Sequence, residues 1–172
     1  AVGYNYATLE NCCATGNVTV ASSSGVQAGG LAGHFKGELT NGYAAGVVTI
    51  TTSTDTELYA GGLFGYAESY AYSGLSISNI YVHPTNGAPV IYAGMLFGIG
   101  DYSSAHNCYY SEGQILHIDD ASNATVGTEG TSGSFDQFNQ ASFYTDVLGW
   151  DSTVWNLSNL DFANGMYPTL IQ

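Results

Sequence analysis

Val26-Gln27-Ala28-Gly29-Gly30-Leu31-Ala32-Gly33-His34 decides the reading of the fold, because it returns twice. The copies are Leu58-Tyr59-Ala60-Gly61-Gly62-Leu63-Phe64-Gly65-Tyr66 and Ile91-Tyr92-Ala93-Gly94-Met95-Leu96-Phe97-Gly98-Ile99. Ala28, Ala60 and Ala93 follow one another at steps of 32 and 33 residues. Self-similarity at this spacing marks a repeat architecture and outranks any local signal.

A second recurring element lies between these copies. It reads Leu9-Glu10-Asn11-Cys12-Cys13-Ala14-Thr15-Gly16-Asn17-Val18-Thr19 and then Leu39-Thr40-Asn41-Gly42-Tyr43-Ala44-Ala45-Gly46-Val47-Val48-Thr49. Weaker copies are Ile77-Ser78-Asn79-Ile80-Tyr81-Val82 and Ala105-His106-Asn107-Cys108-Tyr109-Tyr110. Each repeat thus holds an Asn-centred, a Val/Thr and a Gly-Gly-Leu segment. All are short, rich in β-branched or aromatic residues and bounded by Gly, Asn or Ser, which is a strand signal. Three strands per repeat make one coil of a solenoid. The expected fold is all-β, a right-handed parallel β-helix of about three to four coils over residues 1–113, with equivalent residues stacked in columns.

The columns can be named. Leu31, Leu63 and Leu96 form an internal stack, Val26, Leu58 and Ile91 another, with the small Ala28, Ala60 and Ala93 beside it. Strict alternation would turn Leu31 outward, so Gly29-Gly30, Gly61-Gly62 and Gly94 are read as corners whose unusual φ/ψ resets the inward face. Asn11, Asn41, Asn79 and Asn107 are expected to form an Asn ladder satisfying turn backbone groups. Their steps of 30, 38 and 28 residues leave unequal loops, with residues 53–57 and 68–73 as the protrusions. Tyr66, Tyr70 and Tyr72 flank the second, where they either meet sugar or protein or cover the ends of the core.

Residues 114–172 differ in kind. Phe135, Phe138, Phe143, Tyr144, Leu148, Trp150, Trp155, Leu157, Leu160, Phe162, Tyr167 and Leu170 concentrate large apolar groups there. A solenoid's last coil exposes an open core and unpaired edges, so this segment is read as a C-terminal cap packed on that coil. A short helix is expected from Phe135, with Asp136 near its start.

Charge excludes several partners. One basic residue, Lys36, stands against 14 acids, for a net charge of −13. Nucleic acid, anionic membranes and anionic polysaccharides all need Lys and Arg. No apolar run approaches the ~20 residues that span a bilayer. With 45% apolar and 13% aromatic residues the chain is no acidic disordered tail. It opens on Ala1-Val2-Gly3-Tyr4, which aligns with the second half of a Gly-Gly-Leu segment. The expectation is a piece of a longer solenoid, or a chain whose first coil is covered by another subunit.

Catalytic signatures are missing: there is no Gly-x-Ser-x-Gly, no His-Glu-x-x-His and no phosphate loop. His34, His83, His106 and His117 are scattered; His117, Asp119 and Asp120 form the one tight polar group. The rival class is a β-helix hydrolase of neutral glycans, which needs two facing carboxylates. Glu57, Glu68, Asp101 and Glu112 are its candidates, with nothing to single out a pair. Ca2+ suits so acidic a chain, without a place fixed by spacing. Cys12 and Cys108 share a column too far apart for a disulfide and serve as small core residues. Cys13 faces the other way, toward intermolecular pairing. Asn17, Asn123 and Asn156 open glycosylation sequons. The run Val47-Val48-Thr49-Ile50-Thr51-Thr52-Ser53-Thr54 raises an ice-binding face as a remote alternative, weakened because Val82-His83-Pro84 breaks the pattern.

Taken together, Gly-Gly-Leu-Phe-Gly-Tyr, Asn-Cys-Cys-Ala-Thr-Gly-Asn-Val and Asn107-Cys108-Tyr109-Tyr110 resemble the GLUG-repeat proteins of bacterial surfaces. Phe143, Gly149-Trp150-Asp151-Ser152-Thr153-Val154-Trp155-Asn156 and Tyr167-Pro168-Thr169-Leu170 resemble the segment that commonly follows that family's last repeat. Cys13 stands where the family usually has Tyr, and Gly42 and Ile80 where it has Cys. The resemblance implies a secreted or surface-anchored β-solenoid of the adhesin kind, and it does not imply a catalytic site. The expected role is an extracellular, non-catalytic spacer and interaction surface of an adhesin or filament. Its partners are then further subunits at the N-terminal edge, and glycans or a host surface protein. A carbohydrate-binding module is the alternative beside the hydrolase.

Overall fold

The computed structural model describes residues 2–5, 7–53, 55–85, 89–100 and 105–172. The first pass of the chain lays down β1 (Val2–Asn5), β2 (Leu9–Ala14), β3 (Val18–Ser22) and β4 (Val26–Gly29). The second lays down β5 (Ala32–Phe35), β6 (Leu39–Ala44), β7 (Val47–Thr52) and β8 (Leu58–Gly61). The third gives β9 (Phe64–Ala67), β10 (Ala71–Ser76), β11 (Asn79–Pro84) and β12 (Ile91–Gly94). The fourth gives β13 (Phe97–Ile99), β14 (Ala105–His106), β15 (Tyr109–Ser111), β16 (Leu116–Ile118) and β17 (Ala124–Gly127), followed by β18 (Thr131–Gly133). Equivalent strands pair in parallel, forming sheets β1-β5-β9-β13, β2-β6-β10-β15-β18 with β14 also on β10, β3-β7-β11-β16 and β4-β8-β12-β17. We call them the first to fourth sheets. The chain is a parallel β-solenoid.

Each pass has four sides where three strands were expected. The Gly-Gly-Leu segment splits: Val26 to Gly29 belong to the fourth sheet and Ala32 to Phe35 to the first. The expected columns are in register, with Val26 on Leu58 on Ile91 and Ala28 on Ala60 on Ala93, all buried. Leu31, Leu63 and Leu96 are buried too.

The glycines act by close approach rather than by unusual dihedrals, since none of Gly29, Gly30, Gly61, Gly62 or Gly94 has a positive φ. A Cβ on Gly30 would lie 2.5 Å from Gly62 O, 2.6 Å from Ala44 Cβ and 3.0 Å from Ser78 Oγ. One on Gly62 would collide with Ser76 Oγ and Met95 O. Ala44, Ser76 and Ser78 flank the corner between the second and third sheets. The Gly-Gly corner therefore bends inward until it touches the opposite corner, and the tube is pinched. Met95 is tolerated in the third copy because, among the described residues, no strand follows β13 in the first sheet.

The pinch divides the interior. On one side the first and second sheets enclose Leu31, Phe35, Leu39, Leu63, Phe64, Phe97 and Cys108, with Phe35 stacked on Phe64 at 4.1 Å and Phe64 on Phe97 at 5.7 Å. On the other the third and fourth sheets enclose Val26, Val48, Ile50, Leu58, Ile80, Val82 and Ile91. Each fully buried side chain of this kind contributes about 1.5–3 kcal/mol.

The solenoid runs on past residue 113, because β16, β17 and β18 pair with β11, β12 and β15. The tail proper is α1 (Phe135–Phe138), capped by Ser134, then a π-helical turn Phe143–Leu148, β19 (Trp155–Asn156), a 3-10 turn Phe162–Asn164 and β20 (Thr169–Leu170). β19 and β20 pair antiparallel. The tail does not sit on the last coil as expected. It lies along the outward face of the second sheet, where Phe138, Phe143, Tyr144, Leu148, Trp150, Trp155 and Phe162 bury Tyr43, Ala45, Leu75 and Ile77. That face carries large apolar groups in successive passes, and the tail removes them from water.

The seam beneath this strap is the Asn column. Asn11 aligns with Asn41, Asn41 with Ser73 and Ser73 with Asn107, and all four have φ between 47° and 56°. Asn tolerates this left-handed conformation better than most residues. Their polar atoms meet the tail: Asn107 Nδ2 donates to Val147 O, Trp150 Nε1 to Ser73 O and Trp155 Nε1 to Asn11 Oδ1, at 2.6, 3.0 and 3.2 Å. Tyr43 Oη donates to Pro168 O at 2.6 Å. Asn79 is outside the column; it aligns with Val47, and its Oδ1 accepts from Ile115 N–H. Within the ladder, the direct amide bond is Asn41 Nδ2 to Asn11 Oδ1 at 3.4 Å.

Candidate interaction surfaces

An inward corner on the inside is a re-entrant corner on the outside. Glycines again permit it: a Cβ on Gly98 would lie 2.5 Å from Ala60 N, and one on Gly65 would collide with Ala28 N. The outward faces of the first and fourth sheets therefore lean together, and their side chains interlock. Gln27, Tyr59 and Tyr92 form a column on the fourth sheet, and His34 and Tyr66 face them from the first. Tyr59 stacks on Tyr92 with centroids 5.1 Å apart and meets Tyr66 at 5.1 Å, while His34 stands edge-on to Tyr66 at 4.8 Å.

The polar groups of this corner are tied to one another. His34 Nδ1 is 3.0 Å from Gln27 Oε1, and Nε2 is 2.8 Å from Glu68 Oε1. Lys36 Nζ reaches Glu68 Oε2 at 3.1 Å. Lys36 and, against slight desolvation, His34 hold the Glu68 carboxyl below its usual range. Tyr59 Oη donates to Glu57, and desolvation together with that bond pushes the phenol up. Beside Tyr59 a groove of about 460 Å³ opens between Gly25, Val26, Gln27, Thr56 and Glu57. The corner thus offers ring edges, an amide and carboxylates on a rigid support.

Two smaller clusters lie elsewhere. On the third sheet Asp119 bridges two histidines, accepting from His83 Nδ1 at 2.8 Å and His117 Nε2 at 3.0 Å, beside Tyr81. His83 first, then His117, draws the Asp119 carboxyl down. Asp120 is separate, accepting from Ser122 N–H. On the second sheet Tyr72 stacks on His106 at 5.0 Å, with Tyr70 at 5.6 Å from the same imidazole. Among the described residues no group of three or more His, Cys, Asp or Glu converges to hold a metal.

The remaining expected positions fall as follows. Glu57 and Glu68 flank the re-entrant corner, Glu112 is exposed in the turn after β15, and Asp101 lies outside the described residues, as do Ala1 and Thr54. The protrusion expected at 68–73 is a short turn, because Ala71 to Ser73 are already in β10. Tyr66 joins the corner while Tyr70 and Tyr72 join His106, so the three tyrosines serve two surfaces. Asn17, Asn123 and Asn156 are exposed; Asn17 Oδ1 accepts from Val47 N–H, and Asn156 Oδ1 from Ser158. Cys108 is buried, Cys12 half-buried and Cys13 exposed, all as free thiols, and burial pushes Cys12 and Cys108 up to about 11. In the threonine run Thr52 points inward, and the Thr19–Thr49 and Ala21–Thr51 columns continue into Tyr81 and His83, so no flat Thr array forms.

No family model, curated protein or solved structure matches this chain. The sequence reading missed Gln27, Tyr92, Gln114 and Glu129 as members of local clusters. For Gln27 and Tyr92 the signal was present, since both precede the alanine of a repeat and must point away from it.

Proposed function

We propose that this chain is a rigid structural and interaction module of an extracellular or surface protein of the adhesin or filament kind, with the re-entrant corner as its contact surface. The observation that carries the reading is the corner itself: interlocked Tyr59, Tyr66 and Tyr92 with a groove alongside, on a solenoid strapped lengthwise by its own tail. Rigid aromatic side chains give contact area at low cost in side-chain entropy. Glu57 and Glu68 repel anionic polymers, which leaves uncharged glycans or proteins as partners. The resemblance to GLUG repeats supports the location. Glu57 and Glu68 are both engaged in hydrogen bonds, and a depressed Glu68 cannot act as the general acid of a hydrolase at neutral pH.

Antibodies raised against the purified chain test the location. Labelling of intact source cells is expected; labelling that appears only after permeabilisation refutes the surface role. Retention on immobilised uncharged glycans or host surface protein should fall at least tenfold in Tyr92→Ala, and an unchanged retention removes the corner from the reading.

A further inference from the structure

Among the described residues Glu129 is the sole buried acid, at 7% exposure, although Thr128 before it and Gly130 after it are exposed. It lies in the segment Gly127-Thr128-Glu129-Gly130, which leaves β17 on the fourth sheet and leads into β18 on the second. On the way the chain crosses the end of the lobe enclosed by the first and second sheets, to which Leu96 and Cys108 belong. A Cβ on Gly130 would collide with Leu96 Cδ1 and lie 3.1 Å from Cys108 O, and Thr131 N–H donates to that same carbonyl at 3.0 Å. Gly130 has φ 85°, a conformation that lets bare backbone lie this close. With no described strand after β13 in the first sheet, it is this turn that rests on Leu96.

The side chain of Glu129 closes the turn. Its carboxylate folds back over two glycines: a Cβ on Gly127 would collide with Oε2, and one on Gly94 would lie 3.5 Å from it. Oε2 is buried without a hydrogen-bond partner. Burial pushes the carboxyl up, and its own main-chain N–H offsets this in part. No cation compensates. The titratable side chains on the surrounding elements are Tyr92 on β12, Tyr109 and Tyr110 on β15, and Cys108 just before β15, none of which can carry a positive charge. β13, β17 and β18 carry no titratable side chain, and Lys36, the only Lys, is engaged with Glu68.

A carboxylate buried without a partner is costly when ionised and much less so when protonated. The way out is short, since the neighbours of Glu129 are already at the surface and Gly127 and Gly130 flank it as joints. We propose that residues 127–130 form a proton-operated latch on the end of this lobe. Protonated, Glu129 lies over Gly94 and holds Gly130 down on Leu96. As pH rises the proton leaves to water, the carboxylate turns outward and the turn lifts, baring Leu96 and breaking the bond from Thr131 to Cys108. The sign follows from the direction of the shift. A carboxyl raised in the closed form binds its proton more tightly there, so closure is complete below the ordinary range, about pH 4.3, and is lost as pH rises through the folded value.

The latch does not rest on the proposed contact role, and either can fail alone. Hydrogen exchange of the intact chain, with chelator present, is followed by mass spectrometry from pH 4 to pH 8 and corrected for the intrinsic pH dependence of amide exchange. The peptide carrying the Thr131 amide should lose protection at least tenfold across that range, whereas β8, paired on both sides, should not. Glu129→Gln keeps the shape without the charge and should stay protected at pH 8. Glu112→Gln, an exposed acid in the turn after β15, should follow the wild type. In thermal unfolding Glu129→Gln should raise Tm at pH 8 and leave it unchanged at pH 4. Wild-type protection at Thr131 that stays constant with pH overturns the latch, whatever the variants do. A loss of protection that persists in Glu129→Gln, or a Tm gain of equal size at both pH values, overturns it equally.

Discussion

Replacing Gly62 by Ala tests the pinch directly. The new methyl would collide with Ser76 Oγ and Met95 O and lie 2.8 Å from Gln114 Nε2. Met95 O is backbone, Gln114 is held by that carbonyl, and Ser76 is fully buried, so no flexible side chain can swing aside. Relief must come from parting the two corners, which would also loosen Leu63 and Leu75 on either side. Overpacking a close-packed interior costs about 1–3 kcal/mol, and this contact belongs at the top of that range. For a chain of this length about 3 kcal/mol lowers Tm by about 6–12 °C. Gly16→Ala is the matched control, since a Cβ there meets nothing within 4 Å. Urea denaturation of both variants gives the difference in stability at constant m. A Gly62→Ala chain within about 0.5 kcal/mol of Gly16→Ala would mean that the glycines are not there for close approach, and the pinched cross-section would have to be abandoned.

Four further outcomes are expected. Asn41→Ala should cost about 1–2 kcal/mol because Asn41 has φ 56°, whereas Asn41→Gly should be nearly neutral; equal losses in denaturant titrations would refute strain as the cause. Trp150→Ala empties a buried site under the strap and should cost about 3–5 kcal/mol, and Tyr43→Phe, which leaves the buried Pro168 carbonyl without its donor, about 1–3 kcal/mol; calorimetric values near zero would show that the tail packs loosely. Glu68 and Asp119 have carboxyls lowered by their partners, so the stability they contribute is present above the ordinary carboxylate range and is lost as pH falls through their folded values. Glu68→Gln should therefore flatten the fall in Tm below about pH 4, and an unaltered acid limb would refute the linkage.

The interior columns were legible because each is compositional: Leu31, Leu63 and Leu96, or Val26, Leu58 and Ile91, declare themselves by type and interval. The four-sided cross-section was not, since a Gly-Gly step reads alike as a corner within a segment and as a boundary between two sheets. Ser73 escaped the Asn column because the position selects a left-handed backbone, which Ser adopts without resembling Asn. The nearest Asn, Asn79, drew the alignment forward into β11. The tail's aromatics announced burial without a partner, as apolar composition does not say which surface it covers. What would have located them is the outward Tyr43, Leu75 and Ile77, large apolar residues on positions that an exposed strand face would fill with polar ones. Gln114 and Glu129 belong to no repeat, so periodicity is silent about them.

The strap has a consequence for how the molecule can change. Stacked repeats interact with their neighbours alone, so they ordinarily gain or lose a unit at little cost and unravel from an end. Here the tail touches Asn107, Ser73 and Asn11 in turn, and Trp155 is bonded to a residue 144 positions away. It ties the four described passes to one another. Duplicating one repeat would leave a pass without its anchor and shift every later contact by one strand. Deleting one would leave an anchor without its pass.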